Sequence, residues 1–233
     1  MTSRFEIIKT LDELGHALQN MADQGHRGFD CSQSSLEKIA DWGIASKGIS
    51  ETLQDIRLNL GNCQRCRLAT SRTQIVFGSG SSLAKLIFVG EGPGFEEDRQ
   101  GEPFVGPAGQ LLSKIIAAIH LSRKQVYICN IVKCRPPHNR TPQSDEIGTC
   151  LPFLERQIAA IRPDFICVLG TVAAQTLLNT TESISRLRGR FYDYQGIKVL
   201  PTYHPAYLLR NPDKKRDVWE DMKMLMKEYP YEI

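Results

Sequence analysis

The chain has 233 residues, a formal net charge of +3, and 41% hydrophobic residues. This length is typical of one domain or slightly more, and the composition excludes collagen-like and intrinsically disordered proteins. No apolar run reaches the ~18 residues of a membrane span, and no apolar signal-peptide segment follows Met1. The sequence therefore predicts an intracellular, cytoplasmic protein with a buried core.

Charge is unevenly distributed along the chain. Residues 1–60 contain nine acidic and six basic residues, whereas residues 180–216 contain eight basic and three acidic ones. A basic segment favours an anionic partner such as nucleic acid. A solvated basic face is the other interpretation of the same pattern.

The first 60 residues of the sequence have helical periodicity. Apolar residues recur every three or four positions over 5–21, and a second stripe covers 53–60 before Gly61, which suits a helix end. Because no candidate catalytic residue lies in the first segment, we assign residues 1–50 to a helical N-terminal extension. Residues 51–233 then form the main domain.

Beyond residue 84, short apolar runs alternate with helical stripes. The runs are rich in β-branched residues, which favours buried strands; they cover 86–90, 126–132, 165–170 and 197–200. The stripes between and after them indicate helices, the longest of which we expect to begin at Pro142. This alternation predicts a three-layer α/β/α fold around a central, mostly parallel four-stranded sheet.

Distinctive residues follow the predicted strands, at the sheet edge where such folds bind ligands. A turn from Gly90 to Gly94 follows the first strand, and it matches neither the dinucleotide fingerprint nor the Walker loop. Phe104 lies in the next loop, Asn130 ends the second strand, and His204 follows the fourth.

Each of these features has an ordinary structural explanation: a tight turn, a core aromatic ring, a buried amide or a structural histidine. Together they form a pocket suited to a flat, polar heterocycle. A base flipped out of a nucleic acid needs such a pocket, because it is recognised by stacking and by hydrogen bonds to its edge.

Five motifs resemble those of the type-4 uracil-DNA glycosylases, an iron–sulfur branch of the uracil-DNA glycosylase superfamily. In chain order they are Gly90-Glu91-Gly92-Pro93-Gly94, Gly101-Glu102-Pro103-Phe104-Val105-Gly106, Asn130, Lys133-Cys134-Arg135-Pro136-Pro137 and His204-Pro205-Ala206. The resemblance extends over about residues 53–229. It implies a monofunctional DNA repair enzyme that hydrolyses the N-glycosidic bond of uracil and leaves an abasic site.

The resemblance also implies how uracil is bound. Phe104 would stack on the base, and the Asn130 amide would read O4 and N3–H, a pattern that cytosine reverses. The turn at Glu91, Gly92 and Pro93 would contact the base, with backbone N–H groups around Glu91 and Gly92 meeting O2.

Further implied roles concern catalysis and DNA contact. His204 would donate to O2 as negative charge builds on the departing base. Leu208 would wedge into the duplex and Arg210 would contact phosphates. The best-known branch of the superfamily has an Asp and a Tyr in its turn, where this chain has glycines. Glu91 and Glu97 are therefore our candidates for activating water. We also expect both residues to take part in binding the substrate.

Four of the seven cysteines are candidate metal ligands. Cys63 and Cys66 form a C-x₂-C pair, while Cys134 and Cys150 are separated by 15 residues. Spacing alone permits zinc, an iron–sulfur cluster or buried thiols. The resemblance implies a [4Fe–4S] cluster on these four cysteines.

Two functions compete at this point. The first is a monomeric glycosylase acting on uracil in single- or double-stranded DNA. The second is a non-catalytic iron–sulfur or zinc module that binds DNA with replication proteins, since fold does not fix function. The joint presence of Phe104, Asn130 and His204 favours the enzyme, because a simple DNA-binding module needs no base pocket.

Overall fold

The computed structural model describes residues 51–230. The predicted helical extension over residues 1–50 lies outside the described residues, so that domain boundary stays a prediction. Within 51–230, no helix combines the length and apolar character needed to cross a membrane.

Helices and strands are interspersed along the described chain. In order, they are α1 (Leu53–Leu60), β1 (Ser79–Gly80), β2 (Leu86–Gly90), α2 (Phe95–Gln100), α3 (Pro107–Ala118), β3 (Tyr127–Asn130), α4 (Ser144–Ile161), β4 (Phe165–Leu169), α5 (Thr171–Leu178), α6 (Ile184–Leu187), β5 (Tyr192–Tyr194), β6 (Ile197–Thr202), α7 (Pro205–Arg210) and α8 (Lys215–Glu228).

The strands of the described chain form one sheet in the order β1-β3-β2-β4-β6-β5. The inner strands β3, β2, β4 and β6 are parallel, which confirms the predicted mostly parallel α/β sheet. The predicted count of four strands was too low, because β1 and β5 add an antiparallel strand at each edge. With two and three residues, these edge strands are too short to give a periodic signal.

Side chains on alternate positions of each strand build a core on either face of the sheet. In β2, Ile87 and Val89 belong to one buried cluster, packed with α4 and α5, while Leu86 and Phe88 belong to the other, packed with α3, α7 and α8. Each buried residue contributes about 1.5–3 kcal/mol of hydrophobic free energy. Helices therefore cover both faces, and the three-layer arrangement follows.

Helix α4 begins at Ser144, two residues later than predicted. The cause is a capping interaction at Gln143, whose backbone N–H donates to Oε2 of Glu146 at 2.8 Å. The Arg140 guanidinium holds the same carboxylate through two hydrogen bonds of 2.6 and 2.8 Å. These contacts anchor the loop between β3 and α4 to the first turn of the helix.

Candidate active site

A cavity of about 750 Å³ opens at the carboxyl ends of the parallel strands. It is lined by the turn after β2, the loop after β3, the beginning of α5 and the residues from Tyr203 to Arg210. Phe104, Asn130 and His204, distant in sequence, all lie on its wall. The structure thus brings together the side chains that the sequence predicts for base binding.

The Phe104 ring is held in place by its own backbone. The residue has the left-handed φ of +53°, and its side chain is buried beside the pocket. Arg123 donates to the carbonyls of Pro103 and Phe104 at 2.7 and 3.1 Å. A Cβ on Gly109 would lie 1.9 Å from the Phe104 carbonyl oxygen, so only glycine permits this approach.

Asn130 presents an amide to the pocket. Its side chain is buried at the end of β3, and within the described residues its Oδ1 has no hydrogen-bond partner. A Cβ on Gly90 would lie 2.4 Å from this oxygen and 2.6 Å from Cζ of Phe104. The absence of a side chain at Gly90 therefore makes room for both groups. An unpaired buried acceptor is costly, and a ligand donor would satisfy it.

His204 is the N-cap of α7, and the hydrogen bond that caps the helix fixes the tautomer of its ring. Its Nδ1 accepts the backbone N–H of Ala206 at 3.1 Å, so the ring proton lies on Nε2, which is a donor. Burial lowers the pKa of His204 to about 4, with Arg210 adding to the decrease and Glu97 opposing it. The ring centroid lies 5.6 Å from that of Phe104. The imidazole is therefore a neutral hydrogen-bond donor at neutral pH.

The two candidate glutamates differ in their surroundings, although both line the pocket. Glu97 accepts three backbone hydrogen bonds, from Gly94 at 3.1 Å, Val105 at 2.9 Å and Gly106 at 3.0 Å. Glu97 thus ties α2 to the loop that carries Phe104. The Glu91 carboxylate has no hydrogen-bond partner among residues 51–230, and burial raises its pKa.

The structure places Leu208, the predicted wedge, in the core and not at the surface where a wedge would meet DNA. This side chain is only 1% exposed and packs into the core shared with α3 and α8. The neighbouring Leu209 is 46% exposed on the same helix. Ala206, Tyr207 and Arg210 line the pocket, and at 100° per residue Leu209 flanks that face while Leu208 lies opposite it.

The basic segment 180–216 contributes less to the pocket than its charge suggests. Arg188 pairs with the buried Asp221, and Lys198 and Lys214 also have carboxylate partners. Arg210 does line the pocket and is exposed, as a phosphate contact requires. Fewer basic residues of this segment are therefore available to bind an anionic partner than its sequence suggests.

Sequence reasoning missed two aromatic residues of the pocket wall. The rings of Tyr203 and Tyr207 lie 5.1 Å apart, and the Arg188 guanidinium lies 5.5 Å from the Tyr203 ring. Asp221 accepts from Thr202 Oγ1 at 2.6 Å and from Arg188, which fixes the end of β6 before His204. The sequence did offer a signal for these residues, because the two tyrosines flank His204 at short spacing.

The four candidate cysteines have free thiols, and Cys66, Cys134 and Cys150 pack in or against the same buried cluster. Electrostatic interactions link Cys66 to both Cys134 and Cys150, and link Cys63 to Cys150. Burial raises the pKa of Cys134 to about 12. Within residues 51–230, no three His, Cys, Asp or Glu side chains form a group that could hold a single metal ion.

Nitrogen donors surround these sulfur atoms. Arg65 donates to Cys63 Sγ at 3.3 Å, Arg72 to Cys134 Sγ at 3.5 Å, and the backbone N–H of Lys133 to Cys150 Sγ at 3.3 Å. Such donors suit anionic thiolates. A [4Fe–4S] cluster is held by four cysteine thiolates, and three of these four sulfur atoms accept N–H groups, so the donor set fits such a cluster.

Comparisons with known proteins agree with this geometry. The family model of the Uracil DNA glycosylase superfamily matches residues 77–223. Type-4 uracil-DNA glycosylases from Archaeoglobus fulgidus, Thermotoga maritima and Saccharolobus solfataricus are 42%, 44% and 47% identical to the chain. The alignments cover 75%, 74% and 69% of this chain and 92%, 92% and 79% of these relatives. The chain belongs to the uracil-DNA glycosylase superfamily and, within it, to the type-4 uracil-DNA glycosylases.

Proposed function

We propose that the chain acts as a monomer that binds uracil flipped out of DNA and hydrolyses its N-glycosidic bond. The observation that carries this proposal is the convergence of Phe104, Asn130 and His204 on one pocket. A stacking ring, an amide with an unpaired oxygen and a neutral imidazole donor match the face and the polar edge of uracil.

Each side chain has its own task in this reaction. Phe104 stacks on the flipped base, and Asn130 accepts from N3–H with Oδ1 while its amide nitrogen donates to O4. The Nε2–H of His204 donates to O2, where negative charge develops as the bond breaks. Arg210 at the pocket wall contacts the phosphate backbone.

Water activation is the role we propose for Glu91. Its carboxylate lines the pocket without a competing hydrogen bond among the described residues, and its raised pKa makes it a stronger base. Glu97 is a positioning residue in this proposal, because both of its oxygens already accept backbone hydrogen bonds.

The reaction we propose leaves the DNA strand intact. Among the described residues that line the pocket, none is a lysine that could attack the sugar as an amine. The test is incubation with uracil-containing single- and double-stranded oligonucleotides. We expect free uracil and strands that break only after alkali. Strand breaks without alkali would contradict the monofunctional assignment, and DNA binding without base release would support the non-catalytic module.

We propose further that Cys63, Cys66, Cys134 and Cys150 hold a [4Fe–4S] cluster. The three N–H···S contacts around Cys63, Cys134 and Cys150 support this assignment. The bound cluster would supply a covalent tie between the segment after α1 and the loop that follows β3. Purified protein should contain iron and acid-labile sulfide in equal amounts; stoichiometric zinc would contradict the proposal.

Leu209 replaces Leu208 as our candidate wedge, because Leu209 is exposed beside the pocket. Leu209→Ala should slow uracil release from double-stranded DNA by about tenfold, with a smaller effect on single strands that need no unstacking. Its free energy of unfolding should change by less than about 0.5 kcal/mol.

Leu208→Ala is the matched control for this test. Its loss from the core should lower the free energy of unfolding by about 2–5 kcal/mol. Thermal unfolding and single-turnover base release on both kinds of DNA distinguish the two variants. An equal fold-loss of rate on single and double strands for Leu209→Ala, each relative to the unaltered chain, would exclude the wedge role.

A further inference from the structure

Lys133 connects three parts of the molecule although it is fully buried. Its Nζ donates to the backbone carbonyl of Asn130 at 2.7 Å, and its backbone N–H donates to Cys150 Sγ at 3.3 Å. Its own carbonyl accepts the N–H of Val76 at 2.8 Å. A fully buried lysine is rare, because burying a polar or charged group costs free energy unless the group is hydrogen-bonded.

The contacts of Lys133 place it between a proposed cluster ligand and the residue that reads the base. Its side-chain nitrogen donates to the Asn130 carbonyl, while its backbone N–H donates to the sulfur of Cys150. Within residues 51–230 the side-chain nitrogen has no Asp or Glu partner, so the Asn130 carbonyl is what anchors it.

Asn130 depends on its backbone for the direction of its amide. Its side chain is buried, its Oδ1 is unpaired within the described residues, and Gly90, which has no Cβ, lies beside that oxygen. The Lys133 contact holds the Asn130 carbonyl, and pairing with β2 holds the same residue from the neighbouring strand. A shift of this backbone would move the amide relative to a bound base.

We propose that Lys133 is a positioning residue that couples the cysteine loop to the base-reading amide of Asn130. This inference rests on the proposed role of Asn130 in uracil recognition. It predicts that loss of the Lys133 side-chain contact affects both the release of uracil and the retention of the cluster.

The test uses Lys133→Met, which keeps the length of the side chain and removes its hydrogen-bond donor. We expect single-turnover uracil release to slow by about tenfold, and the visible absorbance of the cluster to bleach about tenfold faster in a chelator, because the cysteine loop loses its anchor on Asn130. Lys133→Arg restores a donor and should recover part of both properties. A variant with an altered melting temperature but unchanged release and bleaching would overturn the proposal.

A double-mutant cycle separates coupling through Asn130 from a general loss of structure. If Lys133 acts through this amide, Lys133→Met should not slow release further in an Asn130→Ala background. Additive losses would overturn the coupling. An Asn130→Ala variant with the wild-type rate would instead reject the proposed base-reading role, while bleaching of Lys133→Met would still test whether the Lys133 side chain anchors the cysteine loop. If Lys133→Met fails to fold, Lys133→Arg with the same readouts provides the test.

Discussion

Replacing His204 with alanine should slow uracil release by about 10²- to 10³-fold and leave DNA affinity nearly unchanged. The structure fixes the imidazole as a neutral donor, because Nδ1 accepts the Ala206 N–H and burial lowers the pKa to about 4. Charge on uracil O2 develops mainly in the transition state, so the bond to His204 strengthens only then. Single-turnover release and a binding titration on the same oligonucleotide measure the two effects separately.

His204→Asn is the matched control, because asparagine can still cap α7 but does not reach the base as histidine does. Both variants should lose rate, whereas only alanine should also lose about 1 kcal/mol of stability with the cap. The wild-type rate should stay constant near neutral pH and fall at acid pH, where the Glu91 carboxylate, with its raised pKa, and the His204 ring, with a pKa of about 4, gain protons. A decline centred on the ordinary histidine value of 6.5 that disappears in His204→Asn would contradict a neutral donor.

Replacing Gly90 with alanine should have an effect of similar size for a steric reason. The added Cβ would lie 2.4 Å from Asn130 Oδ1 and 2.6 Å from Phe104 Cζ, so one of these groups must move. Misplacement by about 1 Å can reduce a rate by about 10²-fold, and we expect at least this loss of uracil release. Overpacking should also cost about 1–3 kcal/mol of stability.

Gly148→Ala provides a control with the same chemical change. This glycine is exposed within α4, and a Cβ there would have nothing within 4 Å. The variant should keep its rate of uracil release and gain up to about 1 kcal/mol in stability, since alanine favours the helix. If Gly90→Ala also kept its rate, uracil release would not require both Asn130 and Phe104 in the positions that the structure gives them.

The fold was predictable where strands are fully buried. The four parallel strands appear in sequence as apolar runs, and their order in the chain places Asn130 and the turn at Gly90 at one edge of the sheet. His204 was recognisable because it follows the last of these runs. The family resemblance then gave each residue a role that strand patterns alone do not contain.

Other features depend on contacts that no local pattern shows. The start of α4 is set by Arg140 and Glu146, and the free charge of residues 180–216 is reduced by partners such as Asp221, distant in the chain. The choice between Leu208 and Leu209 depends on the phase of one short helix. A shift of one residue there exchanges a core side chain for an exposed one.

The contact between Phe104 and Gly109 also affects how related chains should be compared. The Phe104 carbonyl packs so closely on Gly109 that these two positions behave as one unit. A homologous chain with any larger residue at position 109 must place its aromatic ring differently, even if phenylalanine itself is retained. An aromatic residue aligned with Phe104 is therefore not enough to assign the stacking role to a related chain. The role should be assigned only where glycine is also aligned with Gly109.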